Sequence, residues 1–376
     1  MSDLRTSSLP KHCLAAVMTA PGKTEIRQFA LPAVTPTTGI LEVEVSGVCG
    51  ADWSFYNHLF MSHGPMILGH EAVGRIAQAG AEALARWGVK EGDRVALEEY
   101  VPCGHCEFCR TGEFRHCQAT EWRRGGLRYG ATEISVAPGL WGGYSQYQHL
   151  HPTTVFHRVP DGLEGKYAAL ALPAANGVEW AYLQGRAGPG DTVVVQGAGQ
   201  QGLSCVVAAK EAGASTIIVT GRATPSDRLR LAFAKRLGAD HTIDVDAEDL
   251  LETLAELTGG HMADLVIDCT GAEEGIAAAF QIVRKTGRVI LGGQIKKKMT
   301  SFDVDRIIGN FLTVRGMRGH SYQAVELAMQ LINRNAHNIR EMSSRVFGLA
   351  ETDLAIRTIA GQSAEPALHC SVDPWR

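Results

Sequence analysis

Four cysteines stand at Cys103-x2-Cys106-x2-Cys109-x7-Cys117, inside VPCGHCEFCRTGEFRHC. Thiolates at that spacing can wrap one tetrahedral zinc ion with bonds of about 2.3 Å, closing all four positions and leaving none for chemistry. The other reading, two disulfides, needs an oxidising compartment, which nothing in the sequence supports. A second set of donors is open. Cys49 and Asp52 lie in SGVCGADW, and His70 and Glu71 in PMILGHEAVGRI. One thiolate, one imidazole and one carboxylate leave a position for water or substrate, which is the donor set of a catalytic zinc acting as Lewis acid. Asp52 can hold the far nitrogen of His70 and fix its tautomer. Taken singly, Cys49 reads as a small buried residue and His70 as a satisfied loop histidine. The cysteine cluster and the motif that follows favour the metal reading.

The stretch DTVVVQGAGQQGLSCVVAAKEAG contains Gly197-x-Gly199-Gln200-Gln201-Gly202. It follows an apolar strand, Thr192–Gln196, and opens a helix from near Leu203, the context a dinucleotide fingerprint requires. Gly197 permits the tight turn, Gly199 lets a pyrophosphate approach the backbone, and Gly202 allows close helix–sheet packing. Gln200 and Gln201 sit at the helix start, where free N–H groups meet the phosphates. The next strand, Thr216–Thr220, ends in Gly221-Arg222 rather than in the acidic residue that would hold the ribose 2′-hydroxyl of NAD. A guanidinium there can pair with a 2′-phosphate, so NADP is favoured over NAD. Asp227 reads as part of the N-cap of a helix over Arg228–Leu237.

These residues need elements to position them. The chain has 376 residues, too long for one ordinary core, so two domains are expected. Residues 1–165 read as short strands between Gly-, Pro- and His-rich loops, an irregular β domain. From about Asp191, strands alternate with helices, which means a parallel sheet covered on both faces. Helical spacing marks Asp249–Leu257 and Glu273–Lys285, and Leu265–Asp268 and Arg288–Leu291 read as buried strands. The fold class is therefore α/β. A net charge of −4 argues against nucleic acid as a partner. No apolar run approaches the length of a membrane span, and the N-terminus does not read as a signal peptide. Nine cysteines, partly clustered as metal ligands, suit a reducing cytoplasm.

Together GVCGAD, GHEAVG, GDRVALE, the cysteine lobe, GGYSQY, PGDTVVVQGAGQQG and ADLVIDCTG closely resemble the zinc-dependent medium-chain dehydrogenase/reductase family, the alcohol, sorbitol and threonine dehydrogenases. The resemblance covers nearly the whole chain. It implies a GroES-like catalytic domain over 1–170, with a structural zinc lobe at about 95–120. A Rossmann domain, doubly wound on a parallel sheet, would follow over 171–321. The segment 322–376 would return to the catalytic domain, with the active site in the cleft between the two domains. It also implies two zinc ions per subunit, homodimers or homotetramers commonly joined through the Rossmann sheets, and interconversion of an alcohol with its aldehyde or ketone by hydride exchange with the nicotinamide.

The chain departs from the family at three positions. Ala51 stands where a Ser or Thr usually starts a proton relay, and Ser54 where a histidine often lies. Leu172 replaces the Glu that polyol-type members carry near or on the zinc. The protein ligands are then Cys49, His70 and Glu71, with the proton leaving through water or Glu71. Trp53, Phe55, Tyr56, Leu59 and Phe60 are expected near the pocket, favouring a bulky apolar or aromatic alcohol. The long stretch Gln118–Trp141 offers Arg123, Arg124 and Arg128 to an anionic substrate, although surface arginines commonly do nothing specific. Two rivals stay open: a zinc-independent enone or quinone reductase, and a non-catalytic nucleotide-binding protein.

Overall fold

Six parallel strands form the sheet of the second half, in the order His241–Asp244, Thr216–Gly221, Thr192–Gln196, Ala263–Asp268, Val283–Leu291, Thr313–Gly316. Central strands such as Val193–Val195 and Leu265–Ile267 are fully buried, as runs covered by helices on both faces must be. The order reverses at Thr192–Gln196, whose carboxyl end carries the glycine turn, the place where open α/β sheets bind ligands. These coordinates are a computed structural model describing residues 9–57, 64–121, 124–295 and 299–376. Leu59, Phe60 and Arg123 lie outside the described residues.

Helix starts run earlier than the sequence periodicity places them. The helix after the glycine turn spans Gln200–Glu211, and the next spans Pro225–Arg236. Thr224 caps the latter by accepting from the Asp227 amide, so Asp227 lies in the first turn rather than at its cap. The helix expected over Glu273–Lys285 stops at Ile282, because Val283 already pairs with Ala263 in the sheet.

A second, seven-stranded sheet is built mostly from the first half: Gly39–Val48 lies between Glu71–Ala79 and His369–Asp373, with Ser343–Gly348 beyond the latter. C-terminal strands thus complete an N-terminal sheet. Its register decides the site. Gly47 faces Glu71, and Val48 faces Cys370, so the end of one strand meets residues 71 and 369 at once. One hydrophobic cluster runs from Val45 and Val73 through Ala168–Ala175 to Val193 and Val195, tying the two sheets together. Leu172 is part of it and buried. No helix among the described residues is long and apolar enough to cross a membrane.

Candidate active site

Cys49 ends the run that begins at Gly39 and serves as N-cap of the short helix Gly50–Tyr56. Asp52, in the first turn of that helix, reaches back to accept from the Cys49 amide at 2.9 Å. The same carboxylate accepts from the Gly69 amide at 3.3 Å and from the Tyr144 hydroxyl at 3.0 Å, and it is fully buried. One carboxylate thereby fixes both segments that carry the candidate metal ligands. His70 turns Nδ1 towards Asp52 Oδ1 at 3.5 Å, leaving Nε2 on the side of Glu71, 4.0 Å from Oε1. Burial alone would push the imidazole down, but Asp52 overrides it and holds His70 well above its ordinary value.

The ligand atoms of Cys49, His70 and Glu71 all lie within 4.8 Å of one another. Burial pushes the Cys49 thiol up, Glu71 adds to that shift, and His70 opposes it. A thiolate at this position therefore needs a cation beside it, and a divalent metal supplies one. The donor set and its spacing fit a zinc ion with one open position.

His369 is a site residue with no signal in the sequence reading. It is fully buried and approaches Glu71 Oε2 with Nε2 at 3.2 Å, while its Nδ1 has no partner. Gly47 makes that meeting possible, since a Cβ there would run into the Glu71 carboxylate and lie 2.8 Å from His369 Nε2. Tyr144, within GGYSQY, is the second such residue. Burial and the adjacent Asp52 hold its phenol protonated as a donor.

Because Asp52 orients His70, changing it to asparagine is expected to weaken metal binding at this site by about 10- to 100-fold. Competition against a graded series of chelators checks this. Unchanged affinity in Asp52→Asn would mean the carboxylate only caps the helix.

The cysteine lobe also converges. Cys103 and Cys109 sulfurs lie 3.8 Å apart and those of Cys106 and Cys109 3.4 Å, with all four within 4.8 Å. Sulfurs at the corners of a zinc tetrahedron lie about 3.8 Å apart for bonds of about 2.3 Å, so the lobe fits the ion. The Cys103 amide donates to the Cys117 sulfur at 3.3 Å. Amides of His105 and Cys106 lower Cys103 to about 6, whereas burial pushes Cys109 up to about 12 and raises Cys117, so a cation among the four sulfurs is what would hold them all as thiolates. The lobe is anchored by Arg115, whose Nη2 reaches the buried Glu179 at 2.9 Å. Glu179 in turn accepts from the amide and hydroxyl of Ser321 at 3.0 and 2.6 Å.

At the glycine turn, Gly197 has φ of +93°, and a Cβ on Gly202 would strike the Gly197 carbonyl. Nothing lies within 4 Å of a Cβ built on Gly199, which leaves open the approach a pyrophosphate needs. Both amide atoms of Gln200 and Oε1 of Gln201 are buried without a partner beside this opening. Of these atoms Gln200 Nε2 is the donor that suits a phosphate oxygen, while the two carbonyl oxygens are acceptors that suit hydroxyl or amide donors. Gly221 packs on Leu231, and Arg222 extends into solvent, its Nε 3.2 Å from Asp246 Oδ1.

Three family departures behave as their chemistry requires. Ala51 offers no hydroxyl, the Ser54 hydroxyl donates to the Gly50 carbonyl at 3.3 Å, and Leu172 fills the core. Of the expected aromatic lining, Phe55 and Tyr56 are buried in a hydrophobic cluster with Met66, Ile67 and Ile356, and the Tyr56 hydroxyl donates to the Gly22 carbonyl at 2.5 Å. Trp53 packs partly against the same cluster. Phe55 and Tyr56, expected near the pocket, are thus packed among core residues.

Residues 35–161 match the family model described as alcohol dehydrogenase GroES-like domain, and residues 202–334 that described as zinc-binding dehydrogenase. A protein of Mycobacterium tuberculosis named "Probable alcohol dehydrogenase" is 36% identical over 96% of this chain and 98% of its own length. The chain belongs to the zinc-dependent medium-chain dehydrogenase/reductase family. D-arabitol-phosphate dehydrogenase of Enterococcus avium is 31% identical over 88% of this chain and 90% of its own. Among solved structures, benzyl alcohol dehydrogenase of Acinetobacter calcoaceticus superposes with a TM-score of 0.84 at 21% identity, covering 97% of this chain and 99% of that one, a likeness of fold. As a medium-chain dehydrogenase, the chain is an oxidoreductase of the alcohol dehydrogenase type that binds a nicotinamide dinucleotide, with a GroES-like and a Rossmann fold.

Proposed function

We propose that this medium-chain dehydrogenase oxidises an alcohol, reversibly, at a zinc site formed by Cys49, His70 and Glu71, with NADP as the preferred cofactor. The observation that carries the proposal is the convergence of those three donors beside Asp52 and within one sheet register. A zinc ion held there supplies Lewis-acid polarisation of the alcohol or carbonyl oxygen, and the nicotinamide supplies the hydride acceptor. Asp52 orients His70, His369 holds one oxygen of Glu71, and the Gly197–Gly202 turn seats the dinucleotide phosphates. Since Ala51 has no hydroxyl and that of Ser54 is directed to a backbone carbonyl, Glu71 or solvent takes the alcohol proton. Cofactor reduction with a panel of benzyl-type alcohols and polyols tests the proposal. Turnover lost on chelation and restored by zinc supports it, whereas full activity after metal removal favours the enone reductase. With Phe55 and Tyr56 in the core, the preference for aromatic alcohols rests on the panel's outcome.

The NADP preference rests on Arg222. Its pair with Asp246 is exposed, and exposed pairs contribute only about 0–1 kcal/mol, so the guanidinium can turn to a 2′-phosphate at little cost. Arg222→Ala is expected to raise KM for NADP by roughly tenfold or more, as loss of a charge-assisted contact does, with KM for NAD little changed. Equal effects on both cofactors would assign Arg222 to the loop alone. Self-association through the outer edge of the parallel sheet completes the proposal. The edge strand Thr313–Gly316 is exposed throughout, beside exposed Val304, Ile308 and Phe311. An open apolar edge of this kind is a pairing surface; sedimentation as a monomer would contradict that assembly.

A further inference from the structure

A cavity of about 450 Å³ lies against the cysteine lobe, lined by Arg115, His116, Gln118 and Glu121 on the lobe side and by Arg318 from the loop after the strand Thr313–Gly316. Arg115 is the unusual member. Its side chain is 3% exposed, Nη2 is taken by Glu113 and Glu179, and Nε donates to His116 Nε2 at 3.2 Å, yet Nη1 is buried with no partner. A buried guanidinium N–H left unpaired is costly, and Arg115 is among the residues lining the cavity, so an acceptor that entered there and displaced its cover would satisfy it. Arg318 is exposed and, among the described residues, has no hydrogen bond or ion pair to neutralise it. A third guanidinium, Arg124, donates to Gln118 Oε1 at 3.4 Å, which sets it beside a lining residue. Arg128, expected to serve the same end, is instead consumed by Glu99 at 2.5 Å.

We propose that this cavity binds a phosphate-type oxyanion between Arg115 and Arg318, either inorganic phosphate or the phosphate of a small polyol ester. Guanidinium groups arriving from two separate elements present N–H donors to several oxygens at once, which a phosphate accepts and a neutral polyol does not. The volume suits a ligand of sugar-phosphate size. Opposing charge is present in Glu113 and Glu179, both paired with Arg115 Nη2, in Glu121, which is engaged with a partner of its own, and in the thiolates of the lobe, so the uncompensated charge is that of Arg318. Directed N–H donors would set the binding, and its affinity would fall with salt.

Isothermal titration calorimetry on the full-length, zinc-loaded protein tests this with three probes: inorganic phosphate, sorbitol 6-phosphate and sorbitol. Saturating NADP is included so that the glycine turn is already filled. Saturable binding of either phosphate, none of sorbitol, and at least tenfold weaker binding in Arg318→Gln are expected. Binding of the ester alone identifies the ester as the ligand, and equal binding of both identifies the bare oxyanion. Heat that vanishes with NADP present, or that is the same in Arg318→Gln, overturns the proposal. Because no turnover is measured, failure here is separate from failure of the alcohol dehydrogenase mechanism.

Discussion

Replacing His70 by alanine is expected to lower alcohol turnover by roughly 10³-fold or more, with little change in cofactor affinity. The metal's charge stabilisation contributes several kcal/mol, and about 4 kcal/mol is three orders of magnitude in rate. The loss should not be recovered by added zinc, because Cys49 and Glu71 alone leave two positions open and Asp52 without its imidazole partner in a fully buried place. Steady-state kinetics together with a cofactor titration checks this. Turnover within tenfold of the parent would remove His70 from the chemistry.

The second large effect concerns stability rather than turnover. Glu98 is fully buried, with Oε1 3.2 Å from His320 Nε2 and Oε2 3.7 Å from His157 Nε2. His157 continues to Glu326 through Nδ1 at 2.7 Å, and His320 to Asn176 Oδ1 at 2.9 Å. The network joins Glu98 and the strand Phe156–Arg158 of the first half to the helices Ala171–Gly177 and Tyr322–Asn333. Removing one charge from such a pair strands the others, so Glu98→Gln is expected to cost about 3–5 kcal/mol. The pH dependence follows from the shifts. Burial pushes Glu98 up, but His320 and His157 override it and hold the carboxyl well below its ordinary 4.5. Burial pushes His157 down, but Glu326 and Glu98 override it and hold the imidazole above its ordinary 6.5. The Glu98 contribution is present above pH 4.5 and lost as pH falls through the lowered value. The His157 contribution is present below pH 6.5 and lost as pH rises through the raised value. The difference between parent and Glu98→Gln should therefore be largest between pH 4.5 and 6.5, read from urea midpoints across that range. A difference below about 1 kcal/mol throughout would reduce the network to packing.

What the sequence made legible was local. Cysteine spacing over 15 residues encodes a ligand sphere directly, and the glycine turn encodes its own backbone angles. Cys49, Asp52, His70 and Glu71 were readable as chemistry because their types suit a metal, although their meeting depends on strand pairing. His369 was not readable. It reaches Glu71 from 298 positions away through the register of a strand at the far end of the chain, and no spacing rule spans that distance. Glu98, His157, His320 and Glu326 escaped for the same reason, since each alone is an ordinary polar residue. Phe55 and Tyr56 follow Cys49 in sequence, but their packing on the hydrophobic cluster is decided by distant partners such as Ile356 that no local spacing indicates. The boundary errors at Gln200, Pro225 and Ile282 arose where caps and sheet pairing, rather than periodicity, start or stop a helix.

Zinc per chain, measured on protein purified without added metal and on His70→Ala prepared identically, tests the central claim most directly. Two ions in the parent and one in the variant are the predicted result, the remaining ion belonging to the Cys103–Cys117 lobe. One ion in both would leave Cys49, His70 and Glu71 without a metal and contradict the proposed mechanism.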